Sequence, residues 1–248
     1  MRMLAHVFAA LMAVTGYDIA VGKCPVTDFL EKVQTLDSLG RTEAVRSFAA
    51  TVALTDSSAY ERLMECADSL MYDPASSFYN DRLYTDFLGE MHRLRPDDFG
   101  LAGRAAQLAK NAPGAPASDI SYTTMSGSET SLSDFLGRRV ILIFYDPDCD
   151  KCHDLMELLA ASDEVGRAVS DGSLAVVAVY PDDDTAAWRS HASTLPRSWS
   201  VGIDNHQMVN DDEAYVLRTI PSAYLIGADG RVILRDASEE EILSFPKR

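Results

Sequence analysis

The segment with the clearest chemistry is Cys149-Asp150-Lys151-Cys152-His153. Two cysteines separated by two residues suit reversible two-electron chemistry. One thiolate attacks a disulfide, and the second sulfur resolves the mixed disulfide, leaving a Cys149–Cys152 bond. The context favours this use. Val140 to Tyr145 reads as a buried strand that runs through the turn Asp146-Pro147-Asp148 into a helix starting at the cysteines. At a helix start the unpaired amides and the helix dipole stabilise negative charge, which suits Cys149 as nucleophile. Cys152 lies one turn later on the same side and suits the resolving role. The neighbouring charges pull both ways, since Asp146, Asp148, Asp150 and Asp154 oppose a thiolate and Lys151 favours one.

The same residues admit other chemistry. Cys149 to His153 also fits covalent c-type haem attachment with His153 as axial ligand. A structural zinc site would want a second ligand pair, and Cys24 and Cys66 belong to another region. His153 reads as an exposed helix residue that can tune the adjacent sulfur. Asp182-Asp183-Asp184 has the look of a metal cluster, but its place between a strand and the helix carrying Trp188 assigns it to capping. Neither a metal nor a prosthetic group is expected, because two-electron chemistry can reside in the sulfurs alone. Trp188 and Trp199 read as packing residues that can also line a groove.

The elements that must position the pair belong to one of two regions. From Thr27 to about Ala112 apolar residues recur three and four apart, which predicts an all-α helical domain. Asp56-Ser57-Ser58 caps a helix carrying Tyr60, Leu63, Met64, Ala67 and Leu70, and a second helix spans Asn80 to Leu94 with Leu83, Phe87, Leu88 and Met91 inward. Asn111-Ala112-Pro113-Gly114-Ala115-Pro116 is the linker candidate. After it the pattern becomes α/β. Ser121 to Met125 and Glu129 to Leu132 form a hairpin, Val140 to Tyr145 and Leu174 to Tyr180 are central strands, and Cys152 to Ser162 and Thr185 to Leu195 are helices. Ala223 to Ile226 and Val232 to Leu234 flank the turn at Gly227-Ala228-Asp229-Gly230, and Glu239 to Leu243 closes the domain as a helix. The expected organisation is residues 1–22 as a signal peptide or first amphipathic helix, 23–112 as the helical domain and 113–248 as the α/β domain.

With 22 Lys+Arg against 38 Asp+Glu, the net charge of -16 repels phosphate backbones and anionic membrane surfaces, so nucleic-acid binding is disfavoured. Most of the acidity lies after Gly114. No run of about twenty apolar residues is present, which argues against a membrane span in the mature chain. Arg2, the apolar run to Gly16 and Ala20-Val21-Gly22 suit a signal peptide, whereas Leu4, Val7, Phe8, Leu11 and Val14 suit one face of a helix. Lys23 departs from the small residue expected before an acylated Cys24. An exported chain would sit in the periplasm or cell envelope, where Cys24 and Cys66 can pair, and a cytoplasmic one would keep them reduced.

Several motifs together resemble the thioredoxin-like thiol-disulfide oxidoreductases of the bacterial envelope, the branch related to TlpA and ResA. They are Gly114-Ala115-Pro116-Ala117-Ser118-Asp119, Leu132-Ser133-Asp134-Phe135-Leu136-Gly137, the strand with its cysteine pair, and Thr219-Ile220-Pro221-Ser222. The resemblance implies a thioredoxin-like fold over roughly Ala115 to Phe245. It also implies that Cys149 and Cys152 are catalytic, that Pro221 is a cis-proline facing them, and that the Ile220 backbone pairs with an extended substrate segment. Its implied partners are protein thiols or disulfides and an upstream redox protein. Leu70 to Pro74 with Asn80 to Met91 resembles an uncharacterised helical domain found with such proteins. The chain departs from thioredoxin at Asp148, where thioredoxin has Trp, at Asp150-Lys151, where it has Gly-Pro, and at Ile143, where it has a buried acid. It departs from peroxiredoxins at Asp146, where their pattern has Thr. The acids around the pair lead us to expect a reductant. The alternative is a non-catalytic protein-binding module on the same scaffold.

Overall fold

Apolar residues at helical spacing build the first unit from α1 (Pro25–Val33), α2 (Ser38–Ala53), α3 (Ser57–Ala67), α4 (Asp81–Leu94) and most of α5 (Phe99–Ala109). The computed structural model describes residues 24–247, so the signal-peptide and first-helix readings of residues 1–22 lie outside the described residues. Helix starts are set by side-chain caps: Asp37, Asp56 and Asn80 accept from the backbone N–H of Gly40, Ala59 and Leu83. Phe29 stacks on Phe48 at 4.1 Å, and Phe48 tilts against Phe87 at 5.5 Å, forming an aromatic column through the core. After α3 the chain passes into a π-helical turn at Asp68–Tyr72. The wider turn shifts the phase of the apolar stripe, so Met71 is fully buried where Leu70 was expected to be. A disulfide joins Cys24, the N-cap of α1, to Cys66 in α3 with Cα atoms 6.1 Å apart. With its sulfur in that bond, Cys24 offers no thiol for lipid attachment.

The second unit, from Gln107 onward, is a seven-stranded sheet in the order β2-β1-β5-β4-β3-β6-β7. Its strands are β1 (Ser121–Thr124), β2 (Glu129–Ser131), β3 (Arg139–Phe144), β4 (Leu174–Tyr180), β5 (Ser200–Ile203), β6 (Ser222–Ile226) and β7 (Val232–Arg235). The helices are α6 (Asp150–Ala160), α7 (Asp163–Ser170), α8 (Thr185–Ala192) and α9 (Glu239–Ser244). β3, β4 and β5 are parallel neighbours, whereas β6 runs antiparallel to β3. Strand alternation splits β3 between two cores. Ile141 and Ile143 join Leu155 and Met156 of α6, Val165 of α7 and Trp188 of α8. Val140, Leu142 and Phe144 join Tyr122, Tyr215 and Tyr224 on the other face.

The sequence expectation and the structure differ at three places in this unit. The contact boundary falls at Ala106/Gln107, ahead of the expected one, because the linker candidate is hydrogen-bonded into the sheet unit. Asn111 is 2 % exposed, donates to the Ala214 carbonyl at 2.7 Å and accepts from the Ser118 amide at 2.6 Å, while Gly114 N donates to Val232 O at 2.7 Å. The short strand β5 and the helix α7 complete the unit without having been anticipated. At β5 the absence of a side chain is required, since a Cβ on Gly202 would lie 2.1 Å from the Tyr122 ring.

The Cys24–Cys66 bond spans a sequence separation of 42, for which the chain-entropy account gives a stabilisation of about 4 kcal/mol. Cys66→Ser is therefore expected to lower the stability of the oxidised protein by roughly 2–4 kcal/mol in urea unfolding. Superimposable unfolding curves for the two proteins would show that the bond contributes nothing.

Candidate active site at the start of helix α6

The pairing of β3 with β6 brings the cysteines to their partner loop. Phe144, the last residue of β3, lies opposite Ser222, the first of β6. The chain beyond Phe144 and the chain before Ser222 therefore leave the sheet at the same end. The first becomes the turn to α6 and the second is the Ile220–Pro221 peptide, which is cis. The Cys149 Sγ reaches the Ile220 carbonyl at 3.8 Å. The cis Ile220–Pro221 peptide thus lies against Cys149.

The turn is built from its own side chains. Asp146 Oδ1 accepts from Asp148 N at 2.8 Å, and Asp146 O accepts from Cys149 N at 3.2 Å. Cys149 is the N-cap of α6, and its carbonyl accepts from the amides of Cys152 at 3.0 Å and His153 at 3.1 Å. Its side chain makes no capping bond, which leaves the sulfur for chemistry at the helix start. Cys149 is half-buried, whereas Cys152 is 0 % exposed, and both are free thiols. Burial pushes the Cys152 thiol up to about 12, the neighbouring Cys149 acts in the same direction, and a hydrogen bond from the Asp146 backbone opposes them. The two sulfurs therefore differ sharply: one is reachable, and the other is held protonated beneath the helix.

Among the expected tuning residues, Asp148, Asp150 and Lys151 are exposed, so water screens their charges. His153 corrects the reading of an exposed residue. It is half-buried, its Nε2 is bonded to the Pro147 carbonyl at 2.7 Å, and its ring stacks on His191 at 4.6 Å. The turn carbonyl and the α8 imidazole together hold it against the protein. Covalent haem attachment does not fit this arrangement, because Cys152 is buried and the His153 ring is covered by His191. The Asp182–Asp184 run caps as expected, with Asp184 accepting from the amides of Ala186 and Ala187. Among the described residues no group of three or more His, Cys, Asp or Glu side chains is arranged to hold a metal.

Sequence reasoning missed the polar side chains packed beside Cys152. Ile143 occupies the position of thioredoxin's buried acid and is fully buried. Tyr145, two residues on and on the same face, is also fully buried and shares the core with Cys152 and Trp188. Its ring lies 5.2 Å from that of His191. Burial raises the Tyr145 phenol, and burial followed by the charge of His153 lowers His191. The sequence pattern assigns Tyr145 to a strand and His191 to a helix, and only their side-chain directions place them together.

Because Cys152 is buried and keeps its proton until the pH approaches about 12, iodoacetamide at pH 8 is expected to label Cys149 and spare Cys152 in the reduced protein. The Cys152 adduct should grow only as the pH rises toward that value. Peptide mass spectrometry after a timed quench reads both sites, and equal labelling at pH 8 would contradict the assigned asymmetry.

Comparison with known proteins gives the same fold. A thioredoxin-like protein from Bacteroides caccae superposes with a TM-score of 0.82 at 24% identity, covering 90% of this chain and 82% of that one. A conserved protein of unknown function from Bacteroides fragilis is 32% identical, with a TM-score of 0.51 over 54% of this chain and 97% of that chain. The C-terminal domain of an uncharacterised protein from Bacteroides fragilis is 28% identical, with a TM-score of 0.53 over 56% of this chain and 99% of that chain. No curated protein matches the chain. The pattern of the AhpC/TSA family matches residues 113–235, the stretch that carries the sheet, the cysteine pair and the cis-proline, so this part of the chain is an AhpC/TSA-family domain with a thioredoxin-like fold.

Proposed function

We propose that the protein is a thiol-disulfide oxidoreductase that exchanges dithiol for disulfide with protein substrates through Cys149 and Cys152. The observation that carries this reading is the half-buried Cys149 sulfur at the N-cap of α6, 3.8 Å from the Ile220 carbonyl, with the buried Cys152 one turn behind. The Cys149 thiolate attacks one sulfur of a substrate disulfide. The substrate S–S bond breaks, its other sulfur leaves as a thiolate that takes up a proton, and a mixed disulfide remains on Cys149. Cys152 then gives up its proton and attacks the Cys149 sulfur. The intramolecular disulfide forms, and the second substrate sulfur departs as a thiol. Two electrons have passed from the protein to the substrate, and an upstream dithiol returns them. No bound group is needed for this cycle.

The reductant direction is supported by the environment of Cys152. Burial and the neighbouring Cys149 disfavour its thiolate, and the hydrogen bond from the Asp146 backbone, which favours it, does not offset them. Strong oxidants of this fold gain their power from a stabilised reduced form, so an unstabilised one favours the disulfide product and electron donation. Asp146 also stands where a peroxide-reducing cysteine has its Thr, which is why dithiol exchange is proposed rather than peroxide reduction. The Cys24–Cys66 disulfide supports an oxidising location such as the bacterial periplasm or envelope. The helical unit is assigned a role in choosing the partner.

Cys149→Ser is expected to reduce turnover of a disulfide-bonded peptide to the rate of the buffer thiol alone. Cys152→Ser should instead accumulate a mixed disulfide between Cys149 and the peptide, visible as a mass adduct that dithiothreitol removes. Full activity of Cys149→Ser would contradict the assignment of Cys149 as nucleophile, whereas no turnover by the unaltered protein would leave a non-catalytic binding module as the better reading.

A further inference from the structure

The segment facing Cys149 is held in an unusual way. Between β5 and β6 the chain from Tyr215 to Pro221 is irregular. A partly buried irregular segment is fixed by side-chain anchors. Tyr215 Oη donates to the Ser118 carbonyl at 2.7 Å, and Tyr224 Oη donates to the Val216 carbonyl at 2.9 Å. Nearer the site, one carboxylate serves both flanks of the Thr219-Ile220-Pro221 tripeptide. Arg218 Nη1 lies 3.0 Å from Asp236 Oδ2, with the two side chains 2% and 3% exposed. Ser222 Oγ donates to Asp236 Oδ1 at 3.1 Å, and Ser222 is itself buried.

We propose that Asp236 is a positioning residue for substrate binding, its carboxylate clamping Arg218 and Ser222 so that the Ile220 backbone is fixed against Cys149. The inference rests on the exchange reading above and adds a residue that none of the cysteine or proline motifs points to. The geometry gives the clamp its strength. A buried ion pair is expensive to break by removing one partner, because the remaining charge is left without compensation. Asp236 is also fixed from its own side: it follows β7 with φ of 50°, and the next residue, Ala237, donates to the Ala223 carbonyl at 3.0 Å. The carboxylate thus stands on the sheet, and the tripeptide is referred to the sheet through it. A substrate that pairs along Ile220 meets a backbone already in place, so less ordering is required on binding. A small reagent that meets only the Cys149 sulfur gains nothing from the clamp.

The test uses the full chain, a quenched fluorescent peptide carrying one internal disulfide, and the variants Asp236→Asn and Ser222→Ala. Asp236→Asn keeps the shape and removes the charge. It is expected to raise KM for the peptide about tenfold (1.4 kcal/mol per factor of ten), with kcat changed less than twofold and iodoacetamide labelling of Cys149 unchanged. Ser222→Ala, which removes one arm, should raise KM about threefold. Hydrogen exchange at the Thr219 and Ile220 amides should accelerate in both. Unchanged KM with unchanged exchange overturns the clamp. If Asp236→Asn fails to fold, Ser222→Ala decides by the same two readouts. If the unaltered protein does not turn over the peptide, the exchange reading fails, and the amide rates then decide whether Asp236 orders the segment.

Discussion

The antiparallel pairing of β3 with β6 is the constraint on which the site depends. Opposing Phe144 to Ser222 forces the turn into α6 and the cis Ile220–Pro221 peptide to leave the sheet side by side. A slip of one residue would turn every side chain of β3 to the other face, moving Tyr145 away from Cys152 and Ile143 out of the helix-covered core. The register is fixed by burial on both faces, since each residue from Val140 to Phe144 is almost completely removed from water. Hydrophobic packing therefore sets the approach of Cys149 to Ile220, although neither contact is hydrophobic in itself.

Given that approach, the chemistry follows from unequal burial of two like groups. Cys149 caps a helix and remains reachable, while Cys152 lies beneath the same helix with its ionisation opposed by its surroundings. In a chain with a strongly acidic balance, the exposed charges of Asp148, Asp150 and Lys151 act through water and count for less than the half-buried Asp146. His153 is absorbed into the structure by the Pro147 carbonyl and His191, so the turn before Cys149 is held from both ends. Rigidity at the nucleophile thus comes from local hydrogen bonds. Rigidity at the loop opposite comes from a distant carboxylate.

The parts legible in the sequence were those written in local pattern. The apolar runs gave β3 and β4, the caps Asp56 and Asn80 gave two helix starts, and Gly227 to Gly230 gave the last hairpin. The cysteine spacing after a strand located the site, and the motif around Pro221 located its partner loop. What escaped had no local signature. β5 is only four residues long, and α7 is a short helix of eight residues directly after the helix expected to end at Ser162. The π-helical turn that exchanges Leu70 for Met71 changes phase without changing composition. Asn111 looked like linker because its side-chain partners, Ala214 and Ser118, lie elsewhere in the chain. The same holds for Arg218 and Asp236, two ordinary surface residue types that become a buried pair only through the fold.

The central claim is that Cys149 and Cys152 form one reversible redox couple. It is tested most directly by equilibrating the purified protein in glutathione and dithiothreitol buffers of graded potential and reading both cysteines by alkylation and mass spectrometry. The account predicts that the two thiols disappear together in a single two-electron transition, at a potential nearer to about -270 mV than to about -120 mV. A pair that never forms a disulfide across that range, or two sulfurs that titrate independently, would contradict it.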